Sequence, residues 1–285
     1  MTTFRWAGAV AVVTGGGSGI GRAIARSAAR RGARVVVADI EAEVADAVAA
    51  EIAADGGAAI AVRTDVSDQP SVAGLADRAF GEFGRVDLLC NNAGVTMRPF
   101  RAVWDAGEAD FRWMMEVNYF GVVNGLQAFV PRMRAQSGHK HIVNTSSMAT
   151  LYETPGHAMY TASKAAVDGL SDVLRAEFVD QGDDFGVTVL YPGQVTTRIA
   201  TSERLRPEAD RSEGRDVRPY VRRGPEQAHM RAIEPDDVGE MVAVAVERDL
   251  PYCLTHPAPA EGLHARTDAW IAGYLPVPDP ASSAH

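Results

Sequence analysis

Val12-Val-Thr-Gly-Gly-Gly-Ser-Gly-Ile-Gly21 decides how this chain is read. An apolar run, Ala9 to Val13, leads into it, and an Ala-rich helical pattern, Ile20 to Arg31, leaves it. The glycines therefore fall on the turn between a strand and a helix. Gly15, Gly19 and Gly21 stand where the chain must turn tightly and where backbone N–H groups at a helix N-terminus can approach a pyrophosphate, with Ser18 and Ile20 completing the same turn. A bare glycine cluster is an ordinary turn. Its place between strand and helix points beyond a turn, to dinucleotide binding.

The same alternation continues outward. Arg34 to Ala38, Ala58 to Val62, Val86 to Leu89, His141 to Asn144 and Val187 to Leu190 read as strands. Glu41 to Ala54, Ser71 to Phe83, Asp110 to Arg134 and Ala158 to Val179 read as helices between them. Continuous apolar strands alternating with helices predict an α/β fold, a doubly wound parallel sheet with helices on both faces. No linker interrupts the pattern before about residue 197, so residues 1–285 read as one domain. From Arg198 to Arg231 the rhythm breaks into arginines interleaved with acids. This stretch, 198–231, is expected to be a mobile excursion with a solvated, self-paired surface. A capped helix to about Val246, a strand at Tyr252-Cys-Leu-Thr and a helix from Glu261 to Tyr274 follow, and the Pro-rich residues 275–285 are expected to be disordered.

Composition narrows the function. With 28 Lys and Arg against 37 Asp and Glu, the net charge of -9 argues against a general nucleic-acid surface. Cys90 and Cys253 lie far apart without ligand spacing, and the seven histidines are scattered, so neither a disulfide framework nor a structural zinc site is suggested. Met1-Thr-Thr-Phe-Arg-Trp lacks a signal-peptide pattern and no apolar run reaches a membrane span, which makes a reduced cytoplasmic compartment the expectation.

Further candidates stand at the carboxyl ends of the strands, where ligands of such sheets bind. Asp39 ends the second strand, 24 residues after Gly15, where a carboxylate can accept from the adenosine ribose hydroxyls and repel a 2′-phosphate. NAD is therefore preferred to NADP, the alternative being that Asp39 only caps the next helix. Asp65 and Val66 follow the third strand, beside the expected adenine. Asn91-Asn92-Ala93-Gly94 after the fourth fits a close passage of backbone along the cofactor, although such tetrads also make simple turns.

Tyr160-Thr-Ala-Ser-Lys164 sets a phenol and an ammonium four residues apart at the start of a helix pattern, on one helix face. A nearby ammonium favours the phenolate, so the tyrosine pKa is expected to fall and the pair to act as an acid/base device.

Together, Thr14-Gly-x-x-x-Gly-x-Gly21, Asp39, Asp65, Asn91-Asn-Ala-Gly94, Asn118, Ser146-Ser147, Tyr160-x-x-x-Lys164 and Pro192-Gly-Gln-Val-Thr-Thr197 make the chain resemble the short-chain dehydrogenase/reductase family over roughly residues 7 to 197. The resemblance implies a one-domain Rossmann fold of about seven strands and hydride transfer between nicotinamide and a carbinol or carbonyl carbon. It implies that Tyr160 is the general acid/base, that Lys164 lowers its pKa and holds the nicotinamide ribose, and that Ser147, thirteen residues before the tyrosine, bonds the substrate oxygen. Ser146 then points elsewhere. Asn118 would hold, through its backbone, a water linking Lys164 to solvent. Pro192, Gly193, Val195 and Thr197 would meet the nicotinamide carboxamide, and residues 198–231 occupy the position of a substrate lid.

The expected pocket wall is Thr96, Met97, Met148, Ala149, Tyr152, His157, Gln194 and the lid, mixed but mainly apolar, which suits a hydrophobic or cyclic secondary alcohol or ketone. The arginines of the lid could instead recognise an acidic group. The resulting expectation is an NAD-dependent alcohol dehydrogenase or carbonyl reductase needing no metal, with a non-catalytic dinucleotide-binding scaffold or sensor as the alternative. An epimerase or dehydratase of the extended family would want another glycine spacing and a larger substrate domain. Pro251-Tyr-Cys-Leu-Thr-His-Pro257 replaces the Gly-rich ending common in the family, so a homodimer through the helices of Asn118 and Tyr160 is expected as the minimum, with a homotetramer in question.

Overall fold

A computed structural model describes residues 4–207, 218–221, 223 and 230–273. Seven strands form one sheet: β1 (Val10–Thr14), β2 (Arg34–Asp39), β3 (Ala58–Arg63), β4 (Leu88–Asn91), β5 (Lys140–Thr145), β6 (Phe185–Tyr191) and β7 (Tyr252–Leu254). Their order is β3-β2-β1-β4-β5-β6-β7, and every pairing is parallel. The Val-rich central strands are buried on both faces, which explains why they read as continuous apolar runs.

The chain winds outward from β1 to β3 and then returns to the other side of β1 with β4. That reversal opens a crevice above the carboxyl ends of β1 and β4. Two apolar layers hold the helices to the sheet. On one face α1 (Gly19–Arg30), α2 (Ala42–Ala54) and α7 (Pro235–Glu247) pack through Ile24, Ala28, Val48, Val238 and Val242. On the other, α3 (Gln69–Phe83), α5 (Gly121–Arg134) and α6 (Ala158–Gln181) pack through Leu75, Leu126, Phe129, Val167 and Phe178.

The helix expected from Asp110 to Arg134 is not continuous. α4 (Glu108–Met115) runs into a π-turn at Glu116–Phe120 before α5 begins. A π-turn inserts an extra residue into the helical ladder, and such turns gather at functional sites. Here it carries Asn118 into the interior, at 0% exposure.

The arginine-rich segment also departs from expectation where it is described. Residues Arg198–Leu205 form a 3₁₀ segment, kinked at Thr201, and the Arg206 side chain is fully buried. Arg206 Nη1 stands 2.8 Å from Asp110 Oδ1, Asp110 also binds Arg101, and the Arg206 guanidinium lies 5.2 Å from the Trp113 ring centroid. Burial pushes the Asp110 carboxyl up, but the two guanidinium groups and the Gly107 N–H outweigh it and hold the acid below its ordinary range. The start of the segment is thus tied to α4 as well as paired within itself through Arg206 and Glu203, and Arg206 is buried rather than solvated. Most of the rest of 198–231 and all of 275–285 lie outside the described residues.

The last helix, α8 (Ala260–Ala272), buries none of its side chains and leaves Trp270 and Ile271 exposed. No helix among the described residues is long and apolar enough to cross a membrane.

Candidate active site

The crevice is built from loop residues anchored by the strands below them. Thr14, at the end of β1, donates its hydroxyl to the Cys90 carbonyl and accepts from the N–H groups of Asn92 and Ala93. Asn92 returns a bond from its side-chain amide to the Thr14 carbonyl at 3.0 Å. These bonds fix the glycine loop against the loop after β4. Gly15 and Gly19 adopt left-handed φ angles of 61° and 52°, which glycine takes at little cost. A Cβ on Gly21 would lie 2.1 Å from the Gly15 carbonyl oxygen, so only glycine lets α1 start this close to the turn.

Asp39 lines the same crevice. Its Oδ2 accepts from the Gly17 N–H at 3.0 Å and its Oδ1 from the Glu41 N–H at 3.1 Å. Burial raises its pKa, while those N–H groups oppose the rise. The N-cap position of α2 belongs to Glu41, so Asp39 is not the helix cap. The Ile40 N–H also donates to this carboxylate, which still keeps acceptor capacity for a ligand. Across the opening, Arg198 and Arg204 both reach Glu41 Oε2, at 2.8 and 2.7 Å. Asp65 uses Oδ1 to accept from the Ser67 N–H and hydroxyl.

Ser147 and Tyr160 meet at the other end of the crevice. The Ser147 hydroxyl accepts from the Ala149 N–H at 3.1 Å, which leaves its proton to donate to the Tyr160 phenol. The phenol pKa is raised, not lowered: burial dominates, and the Ser147 bond only offsets part of the effect. The expected depression by Lys164 is therefore not present in this arrangement. The Lys164 ammonium turns to the Thr145 carbonyl at 2.9 Å and lies 5.8 Å from the Tyr160 ring centroid. Burial lowers Lys164 to about 8, opposed by the Asp168 charge. Ser146 points away, donating to the Lys164 carbonyl at 3.3 Å.

Asn118 lies behind the crevice. Its Oδ1 accepts from the Val95 N–H at 2.8 Å, and its amide donates to the Val95 carbonyl and to Ser163. The side chain thus fixes the loop after β4 against α6, leaving only its backbone for the water-holding role.

Every residue assigned from sequence to the dinucleotide, from Gly15 to Thr197, lines this one crevice together with Ser147. The substrate-pocket set is less uniform. Met97 packs beside Tyr160 with Val95, Trp113 and Met159, whereas Met148 and Tyr152 belong to another cluster with Val189 and Tyr191. His157 stacks on Tyr160 at 4.5 Å and joins Thr96 Oγ1 at 2.9 Å, and burial, then the Arg98 charge, lowers it to about 4. The Gln194 carbonyl accepts from the Ile233 N–H and the residue is exposed. None of these five lines the crevice itself.

Ile199, Ser202 and Leu205 line it from the segment expected as the lid, and Trp113 and Val117 line it without having been singled out in the sequence. Trp113 on α4 and Val117 in the π-turn are four apart, a spacing that puts both on the face toward the site. Ile199 and Leu205 are hidden among arginines. The arrangement offers a glycine cradle for a pyrophosphate, a carboxylate for a ribose, and a hydroxyl pair that can share one oxygen and move a proton at it.

Comparison with known proteins agrees with this geometry. The sequence pattern of the family described as short chain dehydrogenase matches residues 9–208. A 1-deoxy-11-beta-hydroxypentalenate dehydrogenase of Streptomyces exfoliatus is 34% identical over 271 residues, 95% of this chain and 91% of that one. A short-chain dehydrogenase/reductase from Burkholderia phymatum, solved with NAD, superposes with a TM-score of 0.86 at 36% identity, covering 97% of this chain and 99% of the other. A metagenomic short-chain oxidoreductase solved with NADP reaches a TM-score of 0.69 at 32% identity, over 88% and 98%. The seven-stranded parallel sheet, the motifs gathered on one crevice and these matches lead to one conclusion: the chain belongs to the short-chain dehydrogenase/reductase family.

Proposed function

We propose that this member is an NAD(H)-dependent oxidoreductase acting between a hydrophobic, cyclic secondary alcohol and its ketone, with Tyr160 as general acid/base. The observation that carries the reading is the Ser147–Tyr160 hydroxyl pair at the inner end of a crevice whose outer end presents Asp39. Bound there, a nicotinamide dinucleotide would supply the hydride acceptor or donor. Gly15, Gly19 and Gly21 would hold the pyrophosphate and Asp39 the adenosine ribose, while Lys164 would hold the nicotinamide ribose. Tyr160 takes the hydroxyl proton in oxidation and returns it in reduction, and Ser147 donates to the same oxygen as charge develops on it. The backbone of Asn118, displaced by the π-turn, is the proposed site of the water that connects Lys164 to solvent.

Asp39 favours NAD because a 2′-phosphate would meet a buried carboxylate, and the NAD-bound Burkholderia relative supports that preference. The Streptomyces relative, named for an 11β-hydroxy substrate, supports a cyclic alcohol. Trp113, Val95 and Val117 give the inner crevice an apolar wall for it. Segment 198–206 is the proposed root of the lid, since Ile199, Ser202 and Leu205 face the crevice. Exposed Phe120, Val173 and Val179 on the π-turn and α6 suit a homodimer through these helices. The free cysteines Cys90 and Cys253 are both buried, in keeping with a reduced cytoplasmic setting.

A screen of cyclic secondary alcohols with NAD and NADP, followed by absorbance of the reduced nicotinamide, tests the proposal. Turnover faster with NADP would reassign Asp39. Tight NAD binding without turnover of any alcohol or ketone would favour the scaffold reading.

A further inference from the structure

The opposite end of the sheet holds a cluster that the reaction does not use. His139 precedes β5 and His141 lies within it, two residues on, so both side chains fall on one side of the strand. Asp249 joins them from the turn between α7 and β7, and one donor atom from each of the three lies within 4.8 Å of the others. Asp249 holds a left-handed φ of 51°, the only non-glycine among the described residues to do so. Such conformations persist where surrounding structure fixes them.

The hydrogen bonds determine where the protons are. Thr188 has one hydroxyl proton and donates it to the Leu250 carbonyl at 2.6 Å. Its oxygen must therefore accept from His141 Nε2, 2.8 Å away, which makes Nε2 the protonated nitrogen and leaves Nδ1 a bare lone pair. His139 Nδ1 likewise faces Asp184 Oδ1 at 2.7 Å, so in the neutral ring Nε2 is bare. Both bare nitrogens, His139 Nε2 and His141 Nδ1, are buried without a hydrogen-bond partner. His141 Nδ1 looks instead at Asp249 Oδ1, 3.7 Å away, an acceptor facing an acceptor. Buried polar atoms are normally satisfied, and these two unpartnered nitrogens belong to a cluster that also holds a carboxylate, a combination that suits a positively charged occupant.

We propose that His139, His141 and Asp249 bind one divalent transition-metal ion, zinc by the character of its donors, at the amino ends of β5 and β7. Two neutral imidazoles and a carboxylate with a fourth position open to water form a recognised zinc donor set. Two ligands about 2.1 Å from a tetrahedral ion stand about 3.4 Å apart, close to the separation of His141 Nδ1 and Asp249 Oδ1. Asp184 and Thr188 already orient the rings as second partners of the ligands, the arrangement that fixes imidazole tautomers at metal sites. Gly186 on β6 keeps the space open: a Cβ there would lie 2.2 Å from both His141 Nδ1 and Asp249 Oδ1. Asp249, partly exposed, gives the ion a path from solvent. Far from Ser147 and Tyr160, the ion would tie the start of β5 to the α7–β7 turn and stabilise the fold without joining the reaction.

The test uses the full chain without a histidine tag, stripped with chelator and titrated with zinc chloride by calorimetry, with thermal unfolding recorded in parallel. Wild type is expected to bind one zinc per chain through this site and to unfold at a higher temperature when zinc is present. Asp249→Asn retains a residue tolerant of the left-handed backbone, and His139→Gln removes the imidazole while keeping a polar side chain; each is expected to weaken zinc binding at least tenfold. Cobalt in place of zinc should give the visible absorption of a tetrahedral site in wild type and lose it in both variants. No zinc binding by wild type, or less than a tenfold loss in either variant, would overturn the proposal.

Discussion

The two ends of the sheet handle polar groups differently. At the carboxyl ends, Thr14, Asp39 and Ser147 find partners among the N–H groups of loops that immediately follow the strands. At the amino ends, His139 and His141 find partners on β6 and its approach, and two of their nitrogens find none. One end is an extended crevice lined by loop donors and acceptors, the proposed dinucleotide site. The other is a compact cluster of three side chains, the proposed cation site. The difference teaches that a large ligand is recognised by loops with their own sequence signatures, whereas a small ion needs only three atoms brought together by the fold.

Substitutions at each end put this contrast to the test. The largest effect is expected from Tyr160→Phe, which removes the transferred proton and should reduce turnover by about 10²- to 10⁴-fold. Dinucleotide binding, followed by fluorescence titration, should stay within a few-fold of wild type. Retained turnover would remove the chemistry from the carboxyl end.

Asp110→Asn comes next. It withdraws the carboxylate charge shared by the buried Arg101 and Arg206, and breaking a buried ion pair in this way costs about 3–5 kcal/mol. Denaturant unfolding should show that loss, and KM should rise as the 198–206 segment loses its anchor on α4.

The pH profile gives a third check. Tyr160, raised by burial, stays protonated through neutral pH as reduction requires. Lys164, lowered to about 8, loses its charge as pH rises through that value. In the ketone-reducing direction, kcat/KM should be flat below about 8 and fall above it. A fall on the acid side instead would assign the essential group to another residue.

A smaller change is expected for Glu41→Ala. The substitution removes a negative charge at the adenosine end and frees the Glu41 side of the Arg198 and Arg204 contacts, so relative use of NADP should rise by about tenfold, or about 1.4 kcal/mol. Because these pairs are partly exposed, stability should change by less than about 1 kcal/mol. The smallest effect is predicted for Asp249→Asn on turnover, which should be unchanged if the two ends are independent.

Much of the upper end was legible in sequence because its residues are local to their elements. The glycine turn, Asp39 at a strand end and the four-residue spacing of Tyr160 and Lys164 each depend on a few consecutive residues. The central strands β1 and β2 followed from runs of buried valine, whereas β4, without valine, lies two residues beyond the expected stretch. What local reading misjudged was environment. The Tyr160–Lys164 spacing suggested a lowered phenol pKa, but the degree of burial, which raises it, depends on what packs over α6. Asn118 was recognised, yet the π-turn that carries it looked like uninterrupted helix. Arg206 read as one more solvated arginine, because its partner Asp110 lies on a helix far back in the chain.

The sequence by itself determined the sheet, its direction of winding and the loops that form the crevice, since hydrophobic periodicity and glycine placement act over short distances. Tertiary structure alone decided the burial of Tyr160 and Lys164, the anchoring of Arg206, and the meeting of His139, His141 and Asp249. Those depend on through-space proximity and desolvation, which arise only when segments distant in sequence are packed together and water is excluded between them.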